Sequence, residues 1–153
     1  LACICCATVI DGALYGTYNC FQPPLPDFIG ALEGGRIVSI SATAANFGWP
    51  GAAHAGAAKS VIQNLMKTLA VEWCEYGIRA NYISPGPIEG TEGVDRLIIA
   101  QGRSKEALDK IPLGTFGEGE DIANAVVFLT SQSGRYVSGA ELAVDGGNQW
   151  SRK

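Results

Sequence analysis

The chain has 153 residues, 47% of them apolar and 17% charged, with a formal net charge of −4. That composition is enough for one domain with a hydrophobic core and excludes a disordered chain. Acids and bases are interspersed, so no basic stripe exists to neutralise phosphates, and nucleic acid is not expected as a partner.

The opening "LACICCATVI" lacks a basic lead and is too short for a secretory signal. It begins at Leu1 rather than at a methionine, which points to a fragment. No apolar run is long enough to cross a bilayer, so no membrane association is expected. Five cysteines (Cys3, Cys5, Cys6, Cys20 and Cys74) read as free thiols in a reducing compartment. No metal site is expected, because "CICC" is crowded and His54 is the only histidine.

Residues 7–20, "ATVIDGALYGTYNC", read as a helix with an apolar side on Val9, Ala13 and Tyr15–Gly16, weakened by two glycines. The prolines of "FQPPLPDF" then break regular helix, since they remove donors and restrict their neighbours. "RIVSIS" (36–41) has the short apolar character of a buried strand. After a Gly/Ala/Pro loop, helical spacing of Ala58, Val61, Ile62, Leu65, Leu69 and Trp73 predicts a helix from about Ala53 to Trp73. "GIRANYIS" (77–84) reads as a second strand stopped by "PGP", and residues 93–110 as helical with mixed polarity. "GEGEDIANAVVFLTS" starts acidic, as a helix N-terminus prefers, and "GAELAVDGG" is a last strand ending in a turn. Strands alternating with helices predict an α/β fold with a parallel sheet covered on both faces. Ligands of such sheets sit beyond the carboxyl ends of the strands, which places loops 42–53 and 85–94 on one functional edge.

Taken in order, "GRIVSIS", the helix "HAGAAKSVIQNLMKTLAVEW", "GIRANYISPGPI", "IPLGTFGEGEDIANAVVFLTS" and "YVSGAELAVDGG" resemble the second half of the short-chain dehydrogenases/reductases. The resemblance covers roughly residues 8–148. Its marks "HAGAAK" (54–59) and "PGPIEGTEG" (85–93), followed by "DRL", are similar to those of peroxisomal-type 2,4-dienoyl-CoA reductases. The resemblance implies a single partial domain over residues 1–153, a Rossmann-like doubly wound sheet without its first βαβ units. It further implies NADP(H) as cofactor and hydride transfer to a 2,4-dienoyl-CoA, giving a 3-enoyl-CoA in unsaturated fatty acid beta-oxidation. An acyl-CoA is then the substrate, the protein a homo-oligomer paired through the Lys59 helix and the helix before it, and the compartment the peroxisome. In that pairing Leu65, Leu69 and Trp73 have the spacing of one contact face.

The family's asparagine, serine, tyrosine and lysine fall on Ala13, Ala42, Ala55 and Lys59. Dienoyl-CoA reductases also lack the ordinary tyrosine, but the resemblance implies an aspartate at Ala13 or a tyrosine at Ala44 as the acid, and neither is present. Asp11 is two residues from Ala13, about 200° around a helix, and His54 lies about 140° from Lys59; neither is expected to serve. Lys59 remains the catalytic and cofactor-binding candidate: an ammonium offers three donors to ribose hydroxyls and favours negative charge on a thioester dienolate. Its plainer reading is a solvated helix lysine. In "PGPIEGT", Pro85 and Pro87 fix the backbone and Gly86 permits a close approach. Backbone groups of Ile88, Glu89 and Gly90 can then bond a nicotinamide amide, and Thr91 a phosphate oxygen. The plainer reading is a stiff turn after a strand. Arg96 matches an acyl-CoA contact by resemblance, or is a surface arginine.

No glycine-rich phosphate loop of the G-x-x-x-G-x-G kind is present, and the first strand is expected to be an exposed edge. Two other readings stand beside the first. One is a short-chain reductase acting on a carbonyl, which the missing tyrosine disfavours because the oxygen needs a proton donor. The other is a catalytically inactive fragment serving as an oligomerisation module. The tail Ser151-Arg152-Lys153 lacks the final leucine of a peroxisomal signal, so weak import and a cytoplasmic location are the alternative.

Overall fold

A computed structural model describes residues 3–31, 33–48 and 52–151; the tail Arg152-Lys153 and the middle of the 42–53 loop lie outside them. Helix α1 (Cys3–Phe21) is longer than the glycine count suggested and lies against α3 (Ala53–Glu72). Its expected apolar side is only half right. Val9 and Ala13 are partly buried, but Tyr15 is 60% exposed. The proline run does more than end α1. Pro24 caps and Pro26 opens a short helix α2 (Leu25–Gly30), at positions where a helix needs no N–H from them.

Strands β1 (Arg36–Ile40), β2 (Arg79–Pro85) and β3 (Glu141–Val144) form a parallel sheet in the order β1–β2–β3. Side chains alternate between its faces. Ile37, Ala80 and Tyr82 point into a core with Met66, Leu69 and Ala70 of α3. Val38, Ile83, Leu142 and Val144 meet Ala125 and Leu129 of helix α6 (Gly119–Thr130) on the other face. β1 is an edge among the described residues, as expected, and Ile40 is exposed there.

Within α3 the buried positions are Ala58, Ile62, Gln63, Met66, Leu69 and Ala70. Gln63 can be buried because its Nε2 donates to Asn46 Oδ1 at 3.0 Å. Leu65, Leu69 and Trp73, expected to face a partner subunit, instead pack into the protomer's own core beside Phe21, Leu25 and Phe28. The α1–α2 turn supplies apolar cover there that spacing on α3 alone does not reveal. Residues 93–110 are not one helix. Helix α4 (Glu92–Val94) runs into a π-helical turn over Asp95–Ile99, and Gly102, left-handed at φ 67°, separates it from α5 (Ser104–Asp109). "GEGED" is a helix start: the Glu118 N–H donates to Asp121 Oδ2 at 2.8 Å in a capping box. "DGG" is a turn, with the Asp145 carboxylate accepting from Gly147 N and Gln149 N.

Candidate active site

Lys59 lies on the second turn of α3, beside the carboxyl end of β1. Its Nζ donates to the Ile40 carbonyl at 2.9 Å, and Ser41 Oγ donates to the Lys59 carbonyl at 3.3 Å. Burial pushes the ammonium below its ordinary pKa, since a charge taken from water is disfavoured. One of its three donors is held by Ile40, which leaves two for a ligand. One helical turn earlier stands Ala55, and Ala42 follows Ser41, so neither neighbour offers a hydroxyl.

The two loops expected on this edge are tied together. Thr43 Oγ1 donates to the Pro85 carbonyl at 3.2 Å. Beyond Pro85 the chain makes an isolated parallel bridge, Ile88 to Gly117, in which Gly117 N donates to Pro87 O and Glu89 N to Gly117 O. The buried Ile88 keeps a backbone N–H that no described backbone acceptor takes. That free donor and the two spare donors of Lys59 fit a ligand carrying an amide oxygen and vicinal hydroxyls.

Three expectations shift in detail. The close approach that Gly86 permits is to the turn after β3: a Cβ there would lie 2.8 Å from the Asp145 Cα. Thr91 Oγ1 donates to Ile88 O at 2.7 Å and accepts from Val94 N, so its hydroxyl caps α4 and would have to leave Ile88 to reach a phosphate. Gly90, at φ 72°, supplies the left-handed residue of that turn. Arg96 stands exposed on the π turn, with its guanidinium 2.7 Å from the Glu92 carboxylate. The structure therefore brings Lys59 and residues 85–91 to one edge, while Arg96 touches neither.

Two buried polar atoms have no partner among the described residues: His54 Nδ1, in the "HAGAAK" stretch, and Ser84 Oγ, which no motif flagged. Ser84 is the penultimate residue of β2, fully buried, on the face that carries Ala80 and Tyr82. Strand alternation could have placed it there. Among the described residues no cluster of three His, Cys, Asp or Glu side chains gathers to hold a metal ion.

Residues 6–149 match the family described as Enoyl-(Acyl carrier protein) reductase. The chain belongs to the short-chain dehydrogenases/reductases, a family of oxidoreductases. It is 39% identical over 143 residues to the probable 2,4-dienoyl-CoA reductase [(2E)-enoyl-CoA-producing] of Bacillus subtilis, covering 93% of this chain and 56% of that protein. It is 42% identical over 140 residues to the peroxisomal 2,4-dienoyl-CoA reductase [(3E)-enoyl-CoA-producing] of Saccharomyces cerevisiae, covering 92% and 47%. The fold matches a putative 2-deoxy-d-gluconate 3-dehydrogenase of Agrobacterium tumefaciens with bound NADP, at a TM-score of 0.81 and 37% identity, covering 91% and 56%. The chain thus spans about half the length of the curated relatives it matches.

Proposed function

We propose that the chain is the nicotinamide-binding and catalytic half of an NADPH-dependent 2,4-dienoyl-CoA reductase. The observation that carries this reading is a lysine beside a Pro/Gly loop bridged to Gly117, with alanine at positions 42 and 55, on a chain two of whose quoted relatives are named 2,4-dienoyl-CoA reductases. A carbonyl oxygen needs a proton as hydride arrives. A conjugated thioester does not, because it spreads the charge, and a nearby ammonium favours it. NADPH, when bound, supplies the hydride.

In this reading Lys59 holds the ribose hydroxyls with the donors that Ile40 leaves free, and its charge faces the thioester. Ile88 N–H holds the carboxamide of the nicotinamide. Pro85, Gly86, Pro87, Glu89, Gly90 and Thr91 shape the clamp around it, and Arg96, released from Glu92, meets an acyl-CoA phosphate. The hydroxyl protons of Ser41 and Thr43 are already given to carbonyls, so the proton that completes the product comes from water. The product is a 3-enoyl-CoA, as in unsaturated fatty acid beta-oxidation in the peroxisome. Subunits associate as a homo-oligomer over the exposed Tyr15, Tyr18 and Val71 of α1 and α3.

The test joins this chain to an upstream half bearing a glycine-rich strand–helix start. NADPH-dependent loss of dienoyl-CoA absorbance, with a 3-enoyl product by mass spectrometry, supports the reading; turnover of ketones instead overturns it. Sedimentation as a monomer at micromolar concentration would remove the oligomer from it, and a wholly cytosolic reporter fusion the peroxisome.

A further inference from the structure

The opposite end of the sheet holds a feature that the reductase reading does not use. Arg36 and Arg79 are the first residues of β1 and β2 and stand in register with each other. Neighbouring strands are about 4.8 Å apart, so two like charges are set side by side, an arrangement that is unfavourable unless something compensates it. Both line an open concavity of about 400 Å³, together with Arg135, Tyr136 and Ser138. No carboxylate lines it, and none of the three arginines takes part in an ion pair among the described residues.

We infer that this concavity is an anion site, built from Arg36, Arg79 and Arg135, for the phosphate or pyrophosphate group of a small molecule. The guanidiniums are partly pre-set. Arg79 donates to Val137 O at 3.0 Å and Ser131 O at 3.5 Å, through its two Nη atoms. Arg36 Nη1 donates to Glu33 O, Gly35 O and Gly77 O. Those carbonyls hold the planes in place and, among the described residues, leave Arg36 Nε and Nη2, Arg79 Nε and the whole fork of Arg135 unused. Planar forks of this kind match tetrahedral oxyanions and bind them in pairs of bonds. The nearest acids in sequence do not neutralise the group: neither Glu33 nor Glu75 makes an ion pair among the described residues, and Glu33 meets Arg36 through its carbonyl. Burial and the neighbouring Arg36 both push Arg79 below its usual pKa, the response expected of cations lacking a counter-charge.

The charge of the rest of the chain limits the ligand. Three of eleven basic residues meet here, on a chain of net charge −4. A long polyanion would run onto acidic surface on leaving the concavity, whereas a compact anion would not. Tyr136, 98% exposed at the rim, offers a ring to any base attached to the phosphate.

Titration calorimetry of the chain with inorganic pyrophosphate at low ionic strength tests this. Saturable binding is expected, weakened about tenfold or more by Arg135→Gln and by Arg36→Gln, with circular dichroism showing both variants folded. Lys59→Ala and Arg96→Ala should leave it unchanged, because those cations belong to the other end of the sheet. ADP in place of pyrophosphate separates a bare anion (equal affinity) from a nucleotide (tighter binding that Tyr136→Ala abolishes). No saturable binding, or binding that survives both arginine variants and falls with Lys59→Ala or Arg96→Ala, would overturn the site.

Discussion

The two ends of the same three strands handle positive charge in opposite ways. At the carboxyl end a single ammonium, Lys59, is partly buried and already held by the Ile40 carbonyl, and the Ser41 and Thr43 hydroxyls donate to the Lys59 and Pro85 carbonyls. At the amino end three guanidiniums share one open concavity with no acid to answer them. One end is satisfied by its own backbone and keeps a few donors spare. The other is left with an excess of charge. The difference teaches that alanines beside a held ammonium, as at Ala42 and Ala55, leave no electrostatic debt, whereas clustered arginines leave one that a ligand or salt can relieve.

The largest effect should come from breaking the carboxyl end. In the longer protein that joins this chain to an intact first half, Lys59→Ala should depress dienoyl-CoA turnover by about a hundredfold or more, the loss usual for one preorganised charge at a developing anion. Ala55→Tyr should not be required for activity. The 153-residue chain alone should turn over negligibly, because it contains no phosphate-gripping loop for the adenosine end and loses the proximity that a held cofactor provides. An ordinary enzymatic rate from the bare chain would break this half of the comparison.

Next in size is the joint between the clamp and β3. Gly86→Ala drives a Cβ to within 2.8 Å of Asp145 backbone, and overpacking of this kind costs about 1–3 kcal/mol. Gly90→Ala meets nothing within 4 Å and bears only its left-handed φ of 72°, about 1 kcal/mol. Chemical denaturation of both variants should rank them in that order; equal losses would mean that the Asp145 contact yields without strain.

Lys59 also gives a pH signature. Its folded pKa lies below the unfolded 10.5, so the unfolded chain binds more protons between those values and stability rises with pH across that window. Relative to Lys59→Met, which carries no charge to desolvate, the parent chain should gain stability as pH climbs toward 10.5. Parallel curves would mean that the bond to Ile40 offsets the burial.

Much of this was legible in the residues, for reasons that differ by element. β1, α3 and β2 announced themselves because core packing imposes apolar periodicity, and the shared edge of loops 42–53 and 85–94 because a parallel sheet puts the carboxyl ends of its strands on one side. The π turn was hidden, since Asp95–Ile99 has the composition of ordinary helix and only Gly102 marks the break. The fate of Leu65 and Trp73 was hidden as well, because it depends on Phe21 at the end of α1 and Leu25 at the start of α2, a contact no local pattern encodes. The arginine cluster escaped for the same reason: Arg36 and Arg79 are far apart in the chain and meet only through parallel pairing, and Arg135 joins them from the turn that follows α6.

The smallest effect, and the sharpest on the amino end, is one of sign. Arg135 makes no side-chain bond within the described chain, so Arg135→Gln removes charge and little else. Two electrostatic influences then oppose each other. The chain carries a net charge of −4, and deleting a cation increases that excess, which is mildly destabilising if charge acts as a global sum. Locally, the deletion relieves repulsion from Arg36 and Arg79, which is stabilising if proximity decides. Exposed pairs at short range are worth a few tenths of a kcal/mol and are screened within about 10 Å at moderate salt. The local influence should win at low ionic strength in an anion-free buffer, so Arg135→Gln should be slightly more stable than the parent. Added sodium chloride should erase the difference, and pyrophosphate should reverse it by binding the folded parent more tightly than the variant. Thermal melts in those three buffers would show it. A variant less stable at low salt, with no response to pyrophosphate, would mean that the three guanidiniums do not act on one another and that the two ends of the sheet differ less than their side chains imply.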